Sequence, residues 1–427
     1  MHANVNLLDP DLFPRGSGPP HEVFNAWRRD DPVHWNPPNP DYPPPGRSLP
    51  TRGFWVLTRY EDVAKVSRNQ RIFSSNPGGP IIWDFEGEQL ERQQAGIMGM
   101  TLERHRKVRR LVVPPFSRSE LEAFQPDIDA VAKEIVDEVA GAGECEFVFD
   151  VASKLPVYTF CSLTGVPPEQ RDMVARLGNL NADVENWGSP EEGDLLTGLF
   201  QMAAGITEQK RQRPDDSLMS RLANAEMDDE SLDPLTLNMF FVTMSIAGHE
   251  TTRGTAAHFI RLMNEHPDQY DMVCSDPDRY LPNAIEEVLR HAPPVVKFRR
   301  TVTEETELRG RKLKVGDKVY LSYPAANRDP EMFPDPDRFD ITRENAARHL
   351  AFGIGPRACI GARLARMQLF SRFKEMIARI PDVRHGEIER MRSIWFDAII
   401  RMPVTYTAET SRPCGASAGT PGLEETP

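Results

Sequence analysis

The sequence predicts a mainly α fold with a minor β component, and three observations carry that expectation. Apolar residues recur three and four apart over long stretches, as in Leu121, Phe124, Ile128, Val131, Ile135 and Val139. That spacing lines one face of a helix. Strand-like runs are short and few. No internal repeat divides the 427 residues, although this length would allow two or three domains at about 150 residues each.

The elements follow in order. Residues 1–52 hold 12 of the chain's 38 prolines; lacking backbone donors there, the segment is predicted to wrap the surface as irregular coil. Phe54, Trp55, Val56 and Leu57 read as a strand, followed by a short helix over 60–66. Helices are predicted over 121–139, 155–164, 168–179, 194–211, 233–265, 267–274 and 279–291. Strands are expected at 297–302, 312–315 and 319–322, with another near 394–402. Glycine, serine, threonine and proline dominate residues 407–427, which predicts a disordered tail.

Composition excludes several classes. A net charge of −13, from 51 basic and 64 acidic residues, argues against coating nucleic acid. The five cysteines (Cys145, Cys161, Cys274, Cys359 and Cys414) form no CxxC pair, which excludes a disulfide scaffold or zinc ribbon and fits a reducing cytoplasm. The N-terminus has no basic-then-apolar leader pattern. The most apolar helical stretch, 237–248, falls short of the ~20 residues that span a bilayer. A soluble, cytoplasmic protein without a membrane anchor is expected.

The most informative segment runs from His349 through Phe352, Gly353, Gly355, Arg357, Cys359 and Gly361 into a helical pattern. A glycine-rich loop delivers one cysteine to a helix start, where the helix dipole and backbone N–H groups favour a thiolate. Glycines there permit close approach of a flat partner, Phe352 can shield the sulfur, and Arg357 can bond an anion. With this spacing the chain resembles the cytochrome P450 family over about residues 20–405. The resemblance implies the P450 fold, a single haem-binding domain over residues 1–406. It makes Cys359 the thiolate ligand of haem b and gives Ala247, Gly248, His349, Phe352 and Gly361 to the cofactor's surroundings.

Further matches follow in family order. Glu287 and Arg290 form the ExxR pair, with Arg338 from the following loop as its third, structural member. Glu250 and Thr251, after Gly248, resemble the distal oxygen-activation motif: a hydroxyl donor with a carboxylate that feeds protons through water. His105 and Arg109 match the HxxxR pair that reaches the haem carboxylates, joined by Arg300 and Arg357. Arg106, Lys107, Arg110, Arg363 and Arg366 could form a positive face for an acidic redox partner.

The resemblance thus implies a monooxygenase acting on a hydrophobic small molecule such as a terpenoid, steroid or alkyl chain. Electrons would come from NAD(P)H through a ferredoxin reductase and ferredoxin, and the enzyme is expected to act as a monomer. Ile82, Trp83, Phe240, Phe241, Met244, Val295, Val296, Trp395 and Phe396 are the expected substrate-pocket residues. Two other readings remain: a peroxide-using haem-thiolate enzyme, against which the Glu250–Thr251 pair counts, and a helical protein that binds a hydrophobic ligand without catalysis.

Overall fold

The computed structural model describes residues 5–9, 18–39, 52–182, 189–227, 230–391, 393 and 395–409. Its axis is a 32-residue helix, Pro234–Glu265. Asp233 caps that helix by accepting the Thr236 N–H at 2.8 Å, and Pro234 occupies the first turn, where a missing N–H costs nothing. Around this central helix pack Lys154–Thr164, Arg171–Ala182, Pro190–Gln212 and Ala362–Arg379. Phe259 stacks on Phe373 with ring centres 3.8 Å apart, and Phe241 meets Phe160 edge-on at 5.2 Å. These contacts belong to one continuous apolar core spanning most of the helices.

A five-stranded sheet forms the smaller layer, in the order Val33–Asn36, Phe54–Leu57, Lys318–Ser322, Lys297–Val302 and Phe73–Ser74. Val319 aligns with Trp55 in the one parallel pairing of this sheet. Lys318 faces Thr301 in an antiparallel pairing. A second sheet joins Arg384–His385, Pro403–Thr405 and Glu144–Glu146. The mainly α expectation holds, with predicted helices and strands found within a few residues of their expected bounds.

The N-terminal expectation does not hold. His21–Asp30 is a helix and Val33–Asn36 a strand, while Leu7 and Leu8 are buried. Val23, Phe24 and Trp27 recur at helical spacing and sink into the core, and Trp27 stacks on His34 at 3.9 Å. The prolines Pro19, Pro20 and Pro32 flank this helix rather than interrupt it, so they bound it without breaking it. The triple-proline run at 43–45 lies outside the described residues. So does 410–427 of the predicted tail; the described part is held, with Thr407 bonded to Asp382 and Glu409 to Arg379 at 2.5 Å. Among the described residues no helix is long and apolar enough to cross a membrane.

Candidate active site

Cys359 sits where the sequence places it, at the end of a glycine loop and just before the Ala362–Arg379 helix. Gly353 and Gly355 adopt φ of 65° and 80°. At Gly355 a side chain would also press within 3.1 Å of the Arg68 backbone, so only glycine suits. The Cys359 N–H donates to the Phe352 carbonyl at 2.8 Å, closing the loop. Cys359 is exposed, and it opens onto an internal cavity of about 250 Å³ that it helps to line. Burial away from bulk water pushes its thiol up, while the Gly361 N–H, Arg109 and Arg366 pull it down.

The central helix supplies another wall of that cavity through Ala247, Gly248, Thr251, Thr252 and Thr255. Thr251 turns its hydroxyl back to the Ala247 carbonyl at 2.7 Å, as its residue type predicts. A side chain at Gly248 or at Gly361 would meet nothing within 4 Å. Both positions leave open space rather than serve a packing contact.

One part of the lining is strongly positive. His105, Arg109, Arg300 and Arg357 all reach the cavity, and among the described residues no aspartate or glutamate lines it. The Arg300 guanidinium donates to the Arg299 carbonyl at 2.8 Å, whereas its buried Nε has no partner. His105 Nδ1 is likewise buried and unpartnered. Burial, then Arg357 and the neighbouring arginines, depress the His105 pKa to about 3. Arg357 bonds Gln70 at 2.9 Å and the carbonyls of Ile97, Met98 and Met100. Burial, Arg300 and Arg109 bring its pKa down to about 9. Ser75, which sequence reasoning missed, adds a buried, unpartnered hydroxyl to this lining.

The expected structural pair is present and fully buried. Arg290 meets Glu287 through two bonds of 2.7 and 2.8 Å, with neither side chain exposed. Arg290 also donates to the carbonyls of Asn327, Pro336 and Arg338. The third member is Arg343, 3.3 Å from Glu287, and not Arg338. The Arg338 side chain is 69% exposed and 3.9 Å from Asp340; only its backbone enters the network. The loop turns Arg343 inward to hold the carbonyls of Pro334, Asp335 and Arg338.

Other expectations shift. Glu250 does not line the cavity: it is buried, 2.5 Å from Arg253 and 3.3 Å from His249. Burial, opposed by Arg253, raises its pKa to about 7. His349 also turns away from the cavity lining, its ring 3.2 Å from Glu286. Phe352 and Gly361 do line it. Of the nine expected pocket residues, Met244 and Val295 reach the cavity. Ile82 and Trp83 pack against the N-terminal helix instead, Phe240 and Phe241 fill the main core, and Trp395 and Phe396 form a separate cluster; Val296 is buried and also outside the lining. Arg106, Lys107 and Arg110 line an open groove with Val113, Pro114 and Pro356, and Glu103, also in its lining, pairs with Lys107 at 3.3 Å. Arg366 is held instead by Glu286.

Comparison with known proteins agrees with this architecture. The family model described as Cytochrome P450 matches residues 194–380. The chain is 31% identical over 419 residues to the steroid C26-monooxygenase of Rhodococcus jostii (strain RHA1), covering 95% of this chain and 85% of that protein. It is 32% identical over 389 residues to the linalool 8-monooxygenase of Pseudomonas putida, covering 88% and 92%. A Mycobacterium marinum cytochrome P450 solved in complex with pseudoionone superposes with a TM-score of 0.84 at 33% identity, covering 90% of this chain and 94% of that one. The chain belongs to the cytochrome P450 family and is a P450 monooxygenase.

Proposed function

We propose that Cys359 is the thiolate ligand of haem b and that the positive part of the cavity holds the haem carboxylates. The observation that carries this reading is a set of three arginines, Arg300 buried and Arg109 and Arg357 half-buried, around a cysteine-lined cavity that has no carboxylate among its described lining. A buried charge without a counter-ion is costly, and an anionic, flat cofactor resolves that cost. Arg109, Arg300 and Arg357 would bond its carboxylates, with His105 and Ser75 as neutral donors. Gly248 and Gly361 leave room for its faces. Haem held by a thiolate supplies oxygen activation.

The protein's own residues then have distinct tasks. Phe352 covers the cysteine loop and limits water. Thr251 holds a hydroxyl proton at the cavity wall, within a rotation of the Ala247 carbonyl it now serves. Burial, opposed by Arg253, raises the Glu250 pKa, and from outside the lining Glu250 would pass protons to the cavity through water. The remaining wall, with Ile97, Met98, Met244, Val295 and Phe298, is apolar and suits a terpenoid, steroid or alkyl substrate. The balanced reaction is RH + O₂ + 2 e⁻ + 2 H⁺ → ROH + H₂O. Electrons come from NAD(P)H through a reductase and a ferredoxin that docks at the Arg106–Lys107–Arg110 groove.

The test is a binding screen on purified protein, read as the ferric haem's low-to-high-spin shift with terpenoids, steroids and alkyl chains. A responding class should then yield an oxygenated product with ferredoxin, reductase and NAD(P)H. Turnover of that class with peroxide but not with ferredoxin, reductase and NAD(P)H would contradict the ferredoxin-driven reading.

A further inference from the structure

Two successive carboxylates on the Pro277–His291 helix face different neighbours. Glu287 serves the Arg290–Arg343 network, whereas Glu286 reaches the cysteine helix. Glu286 accepts two bonds from Arg366, at 2.5 and 2.8 Å, and lies 3.2 Å from His349. Arg366 also donates to the Ala362 carbonyl at 3.2 Å, which ties its head to the first turn of its own helix. So anchored, its guanidinium sits 4.5 Å from the centre of the Phe352 ring. Phe352 in turn accepts the Cys359 N–H at 2.8 Å. A positive charge therefore stands against the ring of the residue whose backbone carbonyl holds the Cys359 N–H.

We propose that Arg366, held by Glu286, is a positioning residue that sets the one-electron potential of the Cys359-ligated centre. The proposal rests on the haem-thiolate reading above. A cation close to a redox centre favours the state with one more electron, and the Arg366 side chain, 37% exposed, acts from the partly solvated edge of the cysteine helix. The Ala362 carbonyl and the Phe352 ring hold the guanidinium in place independently of the Glu286 fork. Burial opposes ionisation of Glu286, yet its bonds from Arg366 and His349 bring its pKa down to about 2. The anchor is thus charged across the working pH range. Arg366 acts through Phe352 and the field at the sulfur, so it is not a catalytic residue.

The experiment compares ferric/ferrous midpoint potentials of the haem-loaded protein with those of Arg366→Met and Glu286→Gln. Arg366→Met keeps an apolar stem over the ring, removes the cation and leaves Glu286 negative. Its reduction equilibrium should fall about tenfold, a shift of about 59 mV to more negative potential. Glu286→Gln removes the anion and should shift the potential the opposite way by a smaller amount. Opposite signs support an electrostatic role; unchanged potentials, or shifts of the same sign, overturn it. If Arg366→Met fails to load haem, Glu286→Gln decides alone by the sign of its shift: a positive shift supports the role, a negative or absent one overturns it. A wild-type protein without the thiolate spectrum of its CO complex would overturn the haem-thiolate reading itself. An intact spectrum with unshifted potentials overturns only this inference.

Discussion

Two groups of arginines in this molecule, each with a buried member, have opposite surroundings. Arg290 is enclosed by Glu287 and three backbone carbonyls, so its charge is compensated within the chain. Arg300 and its neighbours Arg109 and Arg357 line a cavity with no carboxylate among its described lining. The first group joins the Pro277–His291 helix to the loop that precedes the cysteine. The second is left for an anion that the chain itself does not provide. A carboxylate partner within the chain thus separates scaffold from site more clearly than residue type does, because both groups are arginines and Arg357, like Arg290, also holds backbone carbonyls.

Breaking one partner of the scaffold group should have the largest effect. Glu287→Ala leaves Arg290 buried and unpaired, at a cost of about 3–5 kcal/mol. Its soluble yield and thermal midpoint should collapse with or without haem. Arg300→Leu should do the reverse: the haem-free protein should melt at or above the wild-type temperature, while haem retained per chain falls several-fold. A marked loss of haem-free stability in Arg300→Leu would erase the distinction.

A pH titration of stability sharpens the scaffold side. Glu286 has a folded pKa depressed to about 2 from an ordinary 4.5, so its contribution is present above that ordinary value. It is lost as pH falls from about 4.5 towards 2. The full contribution is on the order of 3 kcal/mol, and Glu286→Gln should flatten that acid limb of the stability curve. The smallest effect on stability is expected at the cavity wall. Thr251→Ala should fold, bind haem and bind substrate normally, yet consume NAD(P)H with poor coupling to product. Full coupling in that variant would remove the hydroxyl from the account.

Much of the scaffold was legible in the sequence because helix periodicity and spaced charges are local properties. The Glu287–Arg290 pair and the Thr251–Ala247 contact are separations of three and four on one helix, fixed by geometry. Arg343 was not legible, since the fold of the loop decides which of two nearby arginines turns inward. The position of Glu250 was also missed, since adjacent helix residues diverge by about 100° in direction; that of His349 was missed because it lies in extended loop backbone whose path the motif does not fix. Apolar residues gave the weakest guide. Phe240 and Met244 lie four apart on the same helix, yet only Met244 reaches the cavity, because hydrophobicity does not distinguish a core from a pocket. Proline density misled at the N-terminus, where it bounds a helix instead of excluding one.

The most direct measurement is the difference spectrum of the reduced, CO-bound protein, purified with its haem. A cysteine thiolate on iron should give the long-wavelength band at about 450 nm, and Cys359→Ala should abolish it. Freshly purified, folded protein that lacks this band, or a Cys359→Ala variant that keeps it, would contradict the assignment of Cys359.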